Sequence, residues 1–196
     1  MTESNQLILK GTHGTSRYRA DSILRSGFTG NPIGRHGTGT YFWASNEDGD
    51  HLEAIEMARC YAAERERTGV YEKDIDSSPR VLLCDIVTEH QSFVDVECRE
   101  MSIPFKAFIK KMKAYLNNPK NGSEKERACK VADEFIAKIE RLRGVKQDVI
   151  FAHAAAPRSY TGYLGRPERF LGMQKAGCYV VRSHHCIPLT DMQWVA

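Results

Sequence analysis

The chain has 196 residues, 41% of them hydrophobic and 27% charged, with a formal net charge of +3. That length suffices to bury a core within one domain, and the composition is that of a globular protein. No apolar run is long enough to span a bilayer, the polar start Met1 to Gln6 does not read as a signal peptide, and six cysteines (Cys60, Cys84, Cys98, Cys129, Cys178, Cys186) without a Cys-x-x-Cys pair fit a reducing cytoplasm better than a disulfide framework.

Leu7-Ile8-Leu9 is short, aliphatic and followed by glycines, which predicts a strand stopped by them. Ala20, Ile23 and Leu24 fall at helical spacing, and Gly27 stands where a helix C-cap glycine belongs. The segment Gly34 to Gly39 holds three glycines and the pair Arg35-His36, and reads as a turn before a buried strand, Tyr41 to Ala44. His13 and Tyr41 then lie at element ends, where chemistry is often placed. After an acidic turn, Asn46 to Asp50, the residues Leu52, Ile55, Ala58, Tyr61 and Ala62 mark one helix face. Val81 to Val87 is a buried strand, and Phe93 to Val96 extends it or pairs with it as a hairpin.

Pro104 is expected to open a helix with Phe105, Phe108, Ile109, Met112 and Leu116 at helical spacing. Asn117 to Gly122 breaks it, and Ser123-Glu124-Lys125-Glu126 starts a second helix with an apolar stripe through Leu142. The expectation is one domain over 1–196 with a helical hairpin inserted at 103–146. Residues 100–147 carry 12 Lys and Arg against 6 Asp and Glu, whereas the rest of the chain carries 16 against 19. A basic insert is either a solvated helix pair or a patch that attracts nucleic acid. The chain returns to sheet at Asp148 to His153, runs through a loop rich in Gly, Pro, Arg and Tyr, and ends on a strand from Cys178 to Val181.

Taken singly, His13, the glycine turn and Tyr61 read as a core histidine, a turn and a core aromatic. Their order is more specific: His-Gly-Thr, then Ile-Leu-x-x-Gly-Phe, then Gly-x-Gly-x-Tyr-Phe, then an Ala-rich helix with a Tyr. That order, over roughly the first 63 residues, resembles the ADP-ribosyltransferases of the PARP and diphtheria-toxin type. The resemblance implies an α+β fold, a split β-sandwich of two small antiparallel sheets with flanking helices. It implies NAD⁺ as substrate. His13 would hold the adenosine ribose, Gly14 in the His13-Gly14-Thr15 motif would bind the carboxamide, and Tyr41 and Tyr61 would clamp the nicotinamide ring. Arg17, Arg19 and Arg35 would meet the pyrophosphate, and the loop residues Tyr160, Tyr163, Arg166 and Arg169 the acceptor. Ala58 stands where the family often has a serine.

The family's third catalytic residue, a Glu, falls at Cys178. A neutral thiol cannot steady a cation, so Gln174, just ahead of the last strand, is the expected substitute. With the Glu position replaced, the resemblance implies single transfer and not polymer growth. It also suggests a bacterial toxin or phage-defence effector, with an antitoxin or regulatory partner. Nucleic acid is favoured over protein as acceptor because of the basic insert. Two other readings stay open: a non-catalytic NAD⁺ or ADP-ribose binding module, and an NAD⁺-dependent RNA 2′-phosphotransferase. No metal site is expected. His184, His185 and Cys186 with Cys178 fit no common zinc spacing, and adjacent strand residues point to opposite faces. A dinucleotide fold is also not expected, because Gly34, Gly37 and Gly39 have the wrong spacing and no helix follows.

Overall fold

The computed structural model describes residues 5–30, 32–45, 51–162 and 176–195. Strand β1 (Gln6–Ser16) leads into helix α1 (Arg17–Ser26), a small hairpin β2 (Ile33–Gly34) and β3 (Gly37–Thr38), strand β4 (Thr40–Ala44) and helix α2 (Leu52–Arg67). Strands β5 (Pro79–Glu89) and β6 (Phe93–Asp95) follow, then helices α3 (Arg99–Lys111), α4 (Lys113–Asn117) and α5 (Glu124–Arg143). Strands β7 (Val149–Ala154), β8 (Ala176–Val181) and β9 (Gln193–Val195) complete the chain. The architecture is α+β.

The expected two small antiparallel sheets are corrected to one seven-stranded sheet, ordered β6-β7-β8-β4-β1-β5-β9, beside the two-stranded hairpin. The sheet is continuous because β4 pairs on both edges, with β8 over Thr40↔Val181 to Trp43↔Cys178 and with β1 at Gly11↔Ala44 and Thr12↔Trp43. All pairs are antiparallel except β6 with β7. Phe93 to Asp95 therefore pairs with neither end of β5 and forms a parallel edge strand.

Val149 and Val181 point to one face and their neighbours Ile150 and Val180 to the other. The first face carries Phe42, Leu82, Cys84 and Ile86 under Ala20, Ile23 and Leu24 of α1. The second carries Val94, Ile150 and Val180 under Phe135, Ile136 and Ile139 of α5, with Phe105 and Phe108 of α3. Phe42 is 1% exposed, and burying such a side chain contributes about 1.5–3 kcal/mol.

Several local expectations hold. Gly27 caps α1 with φ 77°, and its N–H donates to Ile23 O. Ser123 and Glu126 form a reciprocal capping box at the start of α5. Others are corrected. The glycines do not stop β1, which runs through Gly11 and Gly14 to Ser16. A Cβ on Gly11 would lie 2.8 Å from Phe42 Cβ, so that glycine admits a neighbouring strand's side chain. His13, Gly14 and Thr15 accordingly lie inside a strand. The buried face of α2 is Ala54, Met57, Ala58 and Ala62, while Leu52 is exposed. Helix α3 begins at Arg99, five residues before Pro104, which sits in its interior. The inserted helices therefore span 99–143.

Helix α5 also fixes the small hairpin. Asp133 accepts from Thr38 N at 3.0 Å and from Thr38 Oγ1 at 2.7 Å. The insert thus holds the segment that covers Tyr41.

Candidate active site

The ladder between β1 and β4 ends after two pairs, and His13 explains why. Ser45 N donates to Lys10 O at 3.0 Å, so the backbone groups of Lys10 and Ser45 face one another across that edge. Antiparallel strands alternate, so Thr12 and Gly14 present their N–H and C=O to the same edge, opposite Trp43 and Tyr41. Thr12 still pairs with Trp43. Gly14 and Tyr41 would come next, but His13 Nδ1 lies 2.9 Å from Tyr41 O instead. The imidazole takes the carbonyl that Gly14 N–H would otherwise reach. The ladder stops there, and Gly14, itself buried, has no strand partner on that side among the described residues.

A carbonyl oxygen only accepts, so Nδ1 carries the proton and Nε2 of the neutral ring is an acceptor. Burial lowers the His13 pKa, against the smaller pull of the Tyr41 carbonyl, and keeps the ring neutral at pH 7. Phe28 meets the imidazole edge-on at 5.1 Å, and Phe42 lies at 5.6 Å. Phe28 is a wall the motif reading did not assign; its signal was the Gly-Phe that ends α1.

Helix α2 forms the other side. Thr12 Oγ1 donates to Ala54 O at 2.7 Å. A Cβ at Gly14 would lie 2.0 Å from Ala58 O, so β1 and α2 touch backbone to backbone there. Ala58, one of the residues singled out in the sequence, is fully buried in this contact.

The other expected site residues are placed as follows. Tyr41 meets His13 through its backbone, while its ring lies on the opposite face against the cluster around α5. Its hydroxyl donates to Gly37 O at 2.7 Å and accepts from His36 N at 3.0 Å. Burial pushes the phenol above its ordinary range, so it stays protonated. A Cβ at Gly34 would fall 2.0 Å from the Tyr41 ring, so that ring face is covered by the hairpin. Tyr61 is exposed, with Arg65 over its ring at 5.6 Å, and no ring contact joins it to Tyr41 among the described residues. Thr15 is buried beside the Tyr71 hydroxyl.

The arginines expected at the pyrophosphate have protein partners. Arg19 Nε lies 2.8 Å from Asp74 Oδ2, and Arg17 Nε lies 3.7 Å from Asp76 Oδ2. Arg35 pairs with Glu124 at the start of α5, on the insert side of the molecule. The Arg17 and Arg35 pairs are exposed on both sides and contribute little, whereas the Asp74 carboxylate that holds Arg19 is buried. Tyr160 donates to Glu53 Oε1 at 3.2 Å. Gln174, Tyr163, Arg166 and Arg169 lie outside the described residues. Cys178 is 3% exposed, and burial pushes its thiol up to about 12. It is not a thiolate and carries no charge.

Two results should follow. Tyr41→Phe keeps the ring and removes both hydroxyl bonds. It should lower Tm by roughly 2–4 °C, the equivalent of about 1 kcal/mol, while leaving any NAD⁺ turnover near wild type. Turnover that falls as far as in Tyr41→Ala would place the hydroxyl on the substrate.

Acid should also destabilise the fold. Burial holds the folded pKa of both His13 and His36 below the unfolded value of 6.5. The unfolded chain therefore binds more protons, and stability falls as pH drops from 6.5 towards the folded values. Melting curves recorded from about pH 7.5 to about pH 5 should show this loss, smaller in His13→Asn than in wild type. Equal slopes would contradict a buried neutral His13.

Neither a protein-family model nor a curated protein matches the chain.

Proposed function

We propose that the chain is an NAD⁺-dependent mono-ADP-ribosyltransferase. One observation carries the reading: the His13 imidazole occupies Tyr41 O, which leaves the Gly14 edge without a strand partner where the β1–β4 ladder ends. A backbone N–H and C=O side by side match the C=O and N–H₂ of a carboxamide. Nicotinamide bound there would be held as a strand partner would be, with the neutral His13 Nε2 available to a ribose hydroxyl. The sequence resemblance supplies the same two roles independently.

The chemistry asked of the site is modest. Breaking the bond between nicotinamide and ribose leaves the electron pair on the neutral pyridine and an oxocarbenium-like cation at the anomeric carbon. An acceptor hydroxyl or amine attacks that carbon and loses a proton. The leaving group needs no proton, so orientation supplies much of the rate. A carboxylate would normally steady the cation, and losing such a group costs on the order of 10²–10³ in rate. With a neutral thiol at position 178, Gln174 takes the polar role. Cys178→Ala should leave turnover within about twofold, and Gln174→Ala should lower it at least about tenfold. The reverse ranking would assign the role to the thiol.

Nucleic acid is the favoured acceptor. Lys106, Lys110, Lys111 and Lys113 are all exposed on the inserted helices, where phosphates can reach them. The test supplies NAD⁺ labelled in its adenylate phosphate together with RNA, DNA and cell lysate. Label on nucleic acid, with nicotinamide released, is expected. Label on protein alone keeps the transferase and changes the acceptor. Bound but uncleaved NAD⁺ would mean a binding module. Consumption of NAD⁺ only when the RNA bears a 2′-phosphate would mean the phosphotransferase.

A further inference from the structure

We propose that Asp148, His185 and Cys186 form a metal site suited to Zn²⁺, separate from the His13 site and independent of the transferase reading. Two stretches of chain meet there. Arg182 N donates to Asp148 O at 2.8 Å and seats the segment leaving β8 against the start of β7. Residues His184–Cys186 then form a 3₁₀ turn and not the strand their sequence suggested. Successive side chains in such a turn differ by about 120°, not 180°, so His185 and Cys186 can both reach Asp148.

One carboxylate oxygen, one ring nitrogen and the Cys186 Sγ all lie within 4.8 Å of one another. His185 Nε2 is 3.8 Å from Asp148 Oδ2. Tetrahedral zinc, with bonds of about 2.0–2.3 Å, sets its ligand atoms roughly 3.3–3.8 Å apart. Small side-chain rotations close that difference. The mixture of oxygen, nitrogen and sulfur favours Zn²⁺ over the hard cations Mg²⁺ and Ca²⁺.

The surroundings supply what such a site needs. Ser183 Oγ donates to Asp148 Oδ1 at 2.6 Å and leaves Oδ2 for an ion. Thr88 is 5% exposed, and its hydroxyl hydrogen-bonds the Cys186 thiol. A thiolate formed on metal binding would accept from it, as outer-shell donors do. His185 is 74% exposed along its side chain, so the fourth ligand position opens to water.

Binding breaks the S–H bond of Cys186 and releases its proton to solvent. Affinity therefore rises with pH, as the ion displaces that proton. The ion would fix the turn that carries His184, whose Nε2 lies 3.3 Å from Thr40 Oγ1. His184 also packs 6.5 Å from Phe28, the ring that walls His13.

The test titrates Co²⁺ into the full chain after treatment with a chelator. One equivalent should bind and give the near-ultraviolet charge-transfer band of a cobalt thiolate, which Zn²⁺ then removes. Cys186→Ser should abolish that band. His185 is exposed, so His185→Ala should melt as wild type does without metal, yet bind Co²⁺ at least about tenfold more weakly. A wild-type spectrum without the thiolate band, or His185→Ala binding as tightly as wild type, would overturn the site. If Cys186→Ser does not fold, the wild-type spectrum and His185→Ala decide.

Discussion

His13→Ala should cut nicotinamide release from NAD⁺ by about 10²–10³ while the protein stays folded. Two effects combine. The substitution removes the Nε2 acceptor offered to the ribose, and it removes the donor at Tyr41 O. With that carbonyl vacated, Gly14 N–H becomes its natural donor, and β1 and β4 can pair one step further. The edge that would bind the carboxamide is then used up within the sheet. His13→Asn separates the effects. Its side-chain amide branches at the same place as the imidazole and can still donate to Tyr41 O, but it offers nothing where Nε2 stood. It should bind nicotinamide nearly as wild type and turn over NAD⁺ slowly. Steady-state rates and nicotinamide affinity for both variants check this. Wild-type turnover in soluble His13→Ala would remove the assignment.

Gly14→Ala should be strongly damaging. Its Cβ would lie 2.0 Å from Ala58 O, 2.8 Å from Ala58 C and 3.2 Å from Ala58 Cα. These are backbone atoms of a 16-residue helix packed on β1 and β5, so no side-chain rotation relieves the clash. Helix α2 must move as a body. Overpacking of this kind costs about 1–3 kcal/mol or more, which in a chain of this size lowers Tm by roughly 2–12 °C. Gly14 and the helix beside it shift together, so with the carboxamide bound at Gly14 as proposed, turnover should fall in the same variant. Thermal melts and rates measured side by side check both parts. An Ala variant with wild-type Tm would contradict the backbone contact between β1 and α2.

How much of this was legible in the sequence depended on the range of the interaction. Gly27 and the Ser123–Glu126 capping box are local signals, and both were read correctly. The apolar stripes of α5 and β8 were equally plain, except that Leu142, read as the end of the α5 stripe, is 77% exposed. The extent of β1 was misread because glycine is a poor strand former in isolation. Here Gly11 and Gly14 are extended residues that admit Phe42 and Ala58, and those partners lie 31 and 44 positions away. The motif named His13 and Tyr41 together, but it did not reveal that the link is Tyr41's backbone. The Tyr41 ring serves the hairpin on the other face. Nothing local ties Asp133 to Thr38, Arg19 to Asp74, or Asp148 to Cys186, since each pair is made by packing of distant segments. The face of α2 was read only in part: Ala58 and Ala62 are buried as expected, but Leu52 and Tyr61 are exposed, and Ala54 and Met57 complete the buried face.

The claim at the centre is that His13 occupies Tyr41 O so that Gly14 can receive the carboxamide of NAD⁺. The most direct measurement follows the Gly14 amide by ¹⁵N–¹H correlation spectroscopy while nicotinamide or NAD⁺ is added. The expected result is a saturable downfield shift of the Gly14 N–H in wild type, retained in His13→Asn and absent in His13→Ala. A Gly14 amide that stays still while the ligand binds elsewhere, or that is already protected from exchange as a paired strand residue, would contradict it.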